Sequence, residues 1–359
     1  MRTSHRTIRK LIREEQSKIT DEQLFSSQQF SAYMTDIVET ATKRYRRRSK
    51  VKMHWDPFSN SDVAHTDNRL IHINAANFLT RSFPTRSLQA DSIIGLAGHE
   101  AGHILFTDFT MLQIHMQALE AGSFYPAEPG NLTMLQSLSL QQIKNYFEEK
   151  DEAVIQAIRL VTHSLVNTME DLYIEARMMD AFPGSFKTGI LLNNLRFSED
   201  IPSVTDEIAE GHHEVFIIIN LLIQYAKSGD LNNADGYKGK YLDTLYECIP
   251  FLDDAAYDED AKARYQAANQ MLVLLWPYMP SLIEQVREDL KNKTHHAAQA
   301  AEEQLATPPK TLSGTSKPVP SKTPYNHTPS SEDEERERLQ SALDYETGRI
   351  ALEKTDEIS

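Results

Sequence analysis

The chain has little cysteine and no long apolar run, and each absence excludes a class of protein. Its one cysteine, Cys248, rules out an intramolecular disulfide and a cysteine-rich metal site. No apolar stretch approaches the roughly 20 residues that cross a bilayer. The basic N-terminus lacks the apolar block of a signal peptide. These absences lead us to expect a cytoplasmic protein.

Charge is unevenly distributed along the 359 residues, which carry a net charge of −15. Residues 1–53 contain 13 Lys and Arg against 6 Asp and Glu, a local charge of +7. Basic runs such as residues 43–50 are usually solvated helix ends. The acidic remainder of the chain argues against nucleic acid as a general partner.

The motif that points most directly to a catalytic function is His99-Glu100-Ala101-Gly102-His103, which lies within an apolar stretch. Residues four apart share one face of a helix, so His99 and His103 can direct two imidazoles at one cation. Glu100 projects beside that cation, where it can take a proton from bound water. This is the H-E-x-x-H arrangement of zinc-dependent peptidases. We predict a helix over this segment, opened by Asp91 or Ser92 as N-cap.

A catalytic zinc site normally has three protein ligands plus water. The metzincin pattern requires Gly and His three and six positions after His103, where this chain has phenylalanines, so that branch is excluded. Acidic residues within an otherwise apolar helical segment predict Glu170 as the third ligand, with Asn167 and Asp171 supporting it. Asp171, Glu175 and Asp108 remain rivals as ligand. A solvated acidic stripe is the simpler alternative.

The hydrophobic pattern predicts a mainly α protein of the α+β class, with a long helical region from about residue 134 to residue 179 that breaks near residues 150–151. Residues 51–55 and 69–74 are predicted strands, and they form a small β-hairpin or sheet before the histidine helix. By analogy with zinc peptidases, residues 69–74 are expected to be an edge strand that pairs with substrate. We divide the chain into a basic helical segment (1–50), a zincin-like metallopeptidase domain (51–300) and a disordered Pro/Ser/Thr-rich, charged tail (301–359).

Together, residues 98–109 and the spacing Asn167-x-x-Glu170-Asp171 resemble a particular group of bacterial proteins. This group comprises the N-terminal, metallopeptidase-like regions of von Willebrand factor A domain proteins from mobile elements, some of which work with MoxR-type AAA+ ATPases. The resemblance covers roughly residues 50–290. It implies a gluzincin-like site and, as partners, a von Willebrand A protein and such an ATPase. The chain lacks the Asp-x-Ser-x-Ser motif of that A domain, so we expect a truncated form or a separately encoded domain.

These patterns predict a zinc metallopeptidase that hydrolyses a cytoplasmic protein or peptide. The expected ligands of Zn²⁺ are His99, His103 and Glu170, and Glu100 is the expected general base. His163 and Tyr173 flank the acidic motif without an assigned role, and the pairs at 212–213 and 295–296 are expected at the surface. The alternative is a zinc-stabilised scaffold that assembles with the same partners and cleaves nothing.

Overall fold

A computed structural model describes residue 10, residues 18–59 and residues 62–292. Within these residues the protein is mainly helical and contains one three-stranded sheet, which confirms the predicted mainly α class. The predicted tail, most of the predicted helix before residue 18 and the histidines at 295–296 lie outside the described residues.

The elements follow in chain order. The helices are α1 Asp21–Phe25, α2 Gln28–Lys43, α3 Phe78–Arg81, α4 Arg86–Phe106, α5 Phe109–Glu120, α6 Met134–Glu149, α7 Glu152–Ala181, α8 Ser185–Asp200, α9 Val204–Glu210, α10 Glu214–Ser228, α11 Lys240–Ala255 and α12 Ala261–Leu275. The strands are β1 Lys50–His54, β2 Ala64–Thr66 and β3 Leu70–Asn74. Residues 280–292 are also helical.

The chain divides into two compact units, each of which is discontinuous in sequence. Of the described residues, unit 1 combines those up to residue 106 with 177–196, and unit 2 combines 107–176 with those from 197 to 292. The predicted boundary at residue 50 falls inside unit 1.

Unit 1 contains the sheet, in the order β1-β3-β2. Strands β1 and β3 are parallel, with Val51 opposite Ile71, and β2 is antiparallel to β3. Of the two predicted arrangements the structure has the small sheet and not the hairpin, since the two predicted strands run in the same direction. Its buried face, formed by Val51, Ile71 and Ile73, belongs to a core shared with α2, α4 and residues 178–190.

The prediction that residues 69–74 form an edge strand is wrong, because β3 is the central strand. Helix α2 covers the outer edge of β1. The Thr35 hydroxyl accepts from the Val51 amide at 3.2 Å, and the Val51 carbonyl accepts from the hydroxyls of Thr35 (3.3 Å) and Ser31 (3.4 Å). Among the described residues, β2 pairs with a strand on one side only.

Helix α4 begins earlier than predicted. It starts at Arg86, and the preceding Thr85 hydroxyl accepts from the Leu88 amide at 3.3 Å. Asp91 and Ser92 are therefore not N-caps. Ser92 is fully buried instead, with its hydroxyl 3.0 Å from that of Thr80. The helix extends to Phe106, so its four-residue periodicity is continuous through the histidine motif.

Unit 2 is built around α10, in which ten successive residues from Val215 to Gln224 are buried. This helix ends at Gly229, whose φ of +73° favours glycine. The predicted break near residue 150 is confirmed, since α6 ends at Glu149 and α7 starts at Glu152. Helices α8 and α9 were not predicted.

Candidate metal centre

His99 and His103 stand on the same face of α4, one turn apart, as the four-residue spacing predicts. Their Nε2 atoms lie 3.2 Å apart, and the rings are nearly perpendicular, with centroids separated by 4.8 Å. Both side chains are partly buried. Two imidazole nitrogens therefore converge on one region of space beside the helix.

The separation of these two nitrogens fits a tetrahedral zinc ion. With Zn–N bonds of about 2.0–2.1 Å, two ligand nitrogens of a tetrahedral site are about 3.3 Å apart. The observed 3.2 Å is close to that edge length. Glu100, next to His99 in sequence, is only 7% exposed. The donor types and their spacing thus fit a zinc site with an adjacent carboxylate.

The backbone of α4 is held by a close helix crossing within unit 1. A Cβ added at Gly95 would lie 2.3 Å from the backbone carbonyl carbon and oxygen of Gly189 on α8. The Asn193 amide group donates to the Ser92 carbonyl at 2.9 Å, and the Phe186 ring occupies the space beside Gly98. Glycine at positions 95 and 189 is therefore what lets α8 lie against the helix that carries the histidines.

Glu170, the predicted third ligand, lies in unit 2 and is paired with an arginine. Its Oε1 accepts from the Arg264 Nε at 2.8 Å, and both side chains are almost fully buried. The guanidinium also stacks over the Tyr173 ring, with its carbon 4.0 Å from the ring centroid. Tyr173 therefore supports this ion pair. The ligand role of Glu170 stays a prediction, but a cation already neutralises its charge.

Asp171 and Glu175 share a different partner, Lys227 of α10. The lysine ammonium donates to Asp171 Oδ2 at 3.2 Å and to Glu175 Oε1 at 2.7 Å. These carboxylates raise the pKa of Lys227 against the opposing effect of its burial, so the lysine stays charged. Asp171 is 26% exposed and Glu175 only 4%. Asp171 is thus the most accessible carboxylate of the acidic motif.

The predicted supporting residue Asn167 lies one turn before Asp171 on α7. Its amide nitrogen is 3.3 Å from His163 Nδ1, one turn earlier still. Burial, together with the nearby Arg159, lowers the pKa of His163 to about 4, so this imidazole is neutral at physiological pH. A neutral ring can accept from the Asn167 amide and fix its orientation.

The structure also shows the surroundings of Asp108 and of the histidine pair at 212–213. Asp108 accepts from the Met111 amide at 3.0 Å as the N-cap of α5, which accounts for its carboxylate. His213 was expected at the surface, and that prediction is wrong: its side chain is buried and 3.0 Å from the Ser281 hydroxyl. His212 is partly buried and lies 3.1 Å from Glu210 Oε2.

Sequence reasoning overlooked the cations that pair with the acidic motif. Arg264 lies among mostly apolar buried residues of α12, and Lys227 lies in the last turn of α10, the most apolar of the described helices. A buried charge in such a setting requires a counter-ion, so the sequence could have predicted that each of these two residues forms an ion pair. Their partners on α7 could not be identified without the fold.

Comparisons with known proteins identify no relative of this chain: no family model, no curated protein and no solved structure matches it. No helix among the described residues is long and apolar enough to cross a membrane. A functional assignment therefore depends on the side chains described above.

Proposed function

We propose that this protein is a zinc-dependent metallopeptidase that hydrolyses peptide bonds in a cytoplasmic protein substrate. The observation that carries the proposal is the convergence of His99 and His103, whose Nε2 atoms are 3.2 Å apart on one helix face. Glu100 stands beside them, and a zinc site that is only structural has no need of a base at that position. The proposed fold is accordingly zincin-like.

Asp171 is the third ligand in this proposal, in preference to Glu170. Glu170 is buried against Arg264, and withdrawing it would leave an uncompensated buried guanidinium. Asp171 is partly exposed, and its Oδ2 accepts from Lys227 at 3.2 Å. A carboxylate has two oxygens, so Oδ1 can bind a metal while Oδ2 stays with the lysine.

The proposed chemistry divides between the metal and Glu100. Zinc, when bound, lowers the pKa of a coordinated water and polarises the scissile carbonyl. The Glu100 carboxylate takes a proton from the attacking water and then gives it to the leaving amine nitrogen. Because Glu100 is buried, its carboxylate is positioned by the helix and has little competing solvent.

The sheet suggests where an extended substrate would bind. In unit 1, β2 pairs with β3 along one side, which among the described residues leaves its other side without a strand. An extended peptide can add to such an edge through main-chain hydrogen bonds. This proposal gives β2 the role that the sequence had suggested for residues 69–74.

Elemental analysis of purified protein tests the ligand set. We expect one tightly held zinc per chain in the wild type, loss of that zinc in His103→Ala and Asp171→Asn, and retention in Glu170→Gln. Zinc retained in Asp171→Asn but lost in a folded Glu170→Gln protein would restore Glu170 as the ligand. Absence of this zinc from the wild type after reconstitution would overturn the metallopeptidase proposal.

Cleavage of a complex peptide mixture tests the reaction. Glu100→Gln keeps the shape of the side chain but removes the base, so we expect unchanged zinc content and a loss of at least about 100-fold in cleavage rate. Zinc without any cleavage in the wild type would support the scaffold alternative, which would act with a von Willebrand A or MoxR-type partner.

A further inference from the structure

The segment that joins α2 to β1 in unit 1, residues 43–50, carries a concentrated positive charge. Six of its eight residues are Lys or Arg, and all six of these side chains are exposed. No Asp or Glu occurs in the sequence between Glu39 and Asp56. Among the described residues, none of the six cations forms an ion pair. We call residues 43–50 the basic turn.

The backbone of the basic turn is held in place by the fully buried Thr42. The Thr42 carbonyl accepts from the amides of Tyr45 at 3.0 Å and Arg47 at 3.2 Å, and its hydroxyl accepts from the Ser49 amide at 3.3 Å. Arg46 has a φ of +61°, in the left-handed region that few residues other than glycine adopt. The cations therefore project from a backbone of defined conformation.

Tyr45 connects the basic turn to the end of α4. Its ring packs edge-on against that of Phe106, with centroids 5.4 Å apart, and its centroid is 6.5 Å from that of Phe182. The Arg44 guanidinium lies over the Phe182 ring, with its carbon 5.4 Å from the centroid. Phe106 follows His103 by three residues on α4, and side chains at this spacing are neighbours, with Cβ atoms about 5–6 Å apart. Phe106 thus links Tyr45 to the helical turn that carries His103.

A cation from the second stretch of unit 1 lies at the same place. The Arg177 guanidinium is over the Phe106 ring, with its carbon 6.0 Å from the centroid. Asp180, one turn later on α7, is exposed and offsets one of these charges. The surface around the end of α4 that follows His103 therefore remains positive.

We propose that the basic turn binds an acidic segment of the protein substrate and so determines the specificity of the centre on α4. This inference rests on the proposed metallopeptidase function. An extended peptide advances about 3.3 Å per residue, so carboxylates roughly two to four residues from a bond held at His103 are about 7–13 Å away. Arginine binds carboxylates through paired hydrogen bonds. A nucleic acid is less favoured, because its phosphates would continue beyond the basic turn along a chain whose net charge is −15.

Fluorescence anisotropy of full-length Glu100→Gln protein tests the surface without catalysis. The probe is a labelled peptide that contains a run of glutamates, and the comparison is the same peptide with glutamine in their place. We expect the acidic peptide to bind at least about tenfold more tightly, with an affinity that falls as ionic strength rises. The triple variant Arg46→Gln, Arg47→Gln, Arg48→Gln should bind the acidic peptide at least about tenfold more weakly.

A charge-matched control separates the basic turn from a general effect of net charge. The variant Lys238→Gln, Lys262→Gln, Lys291→Gln removes three exposed cations from unit 2 and should bind the acidic peptide as the parent does. Circular dichroism verifies that each variant is folded. Equal binding of the two peptides, or unchanged affinity in the arginine variant, would overturn the inference. Tighter binding of a single-stranded oligothymidine of equal charge would also overturn it and assign the surface to nucleic acid.

Cleavage kinetics of the wild type connect the surface to the reaction. For two peptides that differ only in the charge of residues near the scissile bond, kcat/KM should be at least about tenfold higher for the acidic one, mainly through a lower KM. The arginine variant should lose this preference and cleave the neutral peptide as the wild type does. Equal cleavage of both peptides by the wild type would overturn the inference and leave the metallopeptidase function intact. Acidic peptide that is bound but never cleaved would refute the metallopeptidase function alone, since the binding assay needs no catalysis.

Discussion

Two carboxylates that follow each other on α7, Glu170 and Asp171, have different surroundings. Glu170 is buried against Arg264 with its second oxygen, Oε2, lacking a hydrogen-bond partner among the described residues. Asp171 reaches a less buried region and shares Lys227 with Glu175. Adjacent residues on a helix point about 100° apart, so one step in sequence separates an ion pair of the core from a carboxylate accessible to a ligand.

Replacing the buried pair tests which role Glu170 has. We expect Glu170→Leu alone to lower the free energy of unfolding by about 3–5 kcal/mol, because it leaves Arg264 charged and unpaired in the core. The double variant Glu170→Leu, Arg264→Met should recover most of that loss, as measured by urea denaturation. Its zinc content should equal that of the wild type. Loss of zinc in a stable double variant would contradict a purely structural role for Glu170.

A second prediction concerns His115, which is fully buried in unit 2. Its Nδ1 donates to the Tyr125 carbonyl at 2.9 Å, and the ring stacks on Tyr265. Burial lowers the pKa of His115 to about 4, partly opposed by that carbonyl. The unfolded chain takes up a proton near pH 6.5, but the native state does so only near pH 4. Stability therefore falls as pH drops through this window, by about 3 kcal/mol for this group.

Urea denaturation at several pH values measures this effect. Unfolding free energies of the wild type and His115→Gln should differ in their slope between pH 6.5 and pH 4. The variant should show a shallower decline, because it lacks one group that only the unfolded state protonates. Equal slopes for the two proteins would show that His115 contributes nothing to the acid sensitivity.

At the scale of elements, the crossing of α4 and α8 at Gly95 and Gly189 leaves no room for a side chain at either position. Gly95→Ala places a methyl group into the α8 backbone, and we expect it to destabilise the protein by at least about 2 kcal/mol. Gly184→Ala, where a Cβ would meet nothing within 4 Å, is the matched control and should change stability by less than about 0.5 kcal/mol.

The measurements are the zinc affinity and the melting temperature of Gly95→Ala and of its control, Gly184→Ala. Because α4 carries both histidines, its displacement by Gly95→Ala should weaken zinc binding together with stability. A Gly95→Ala protein as stable as Gly184→Ala would show that the two helices separate without cost.

Several elements were predictable from sequence because their patterns are local. The helix bearing His99 and His103 follows from apolar periodicity, and the break near residue 150 is confirmed by the left-handed φ of Lys150. Strand β2 was missed because three residues give too short an alternation. Its pairing with β3, and hence the central position of β3, depends on non-local contacts that no window of sequence contains.

The candidate metal site, like the fold, could be predicted only where its residues are close together in the sequence. Two ligand candidates and the base lie within one helical turn or so, where spacing alone determines their relative positions. The choice among the acidic residues of α7 could not be made, because it depends on Arg264 and Lys227, which are distant in sequence.

At the scale of the whole molecule, unit 1 is assembled from two separate stretches of chain. The second stretch contributes Met178, Phe186 and Ile190, each at most 4% exposed, to the core of the sheet. Together these side chains represent about 5–8 kcal/mol of burial, which is comparable to the total stability of an ordinary domain. The first stretch alone should therefore not form a stable core.

Thermal melting of two shortened chains tests this dependence. Residues 18–106 alone should show no cooperative transition by circular dichroism. The same residues joined through a Gly/Ser linker to residues 177–196 should regain one. Cooperative melting of residues 18–106 alone would show that the sheet and α4 need no help from the second stretch.

The covered edge of β1 also bears on how the protein behaves at high concentration. A bare strand edge can recruit other chains into intermolecular β structure, a common route to aggregates. Thr35 and Ser31 already occupy the hydrogen-bonding groups of Val51, so that route is closed on one side of the sheet. On the other side β2 has only three residues, and a fibril seeded there would begin from a very short template.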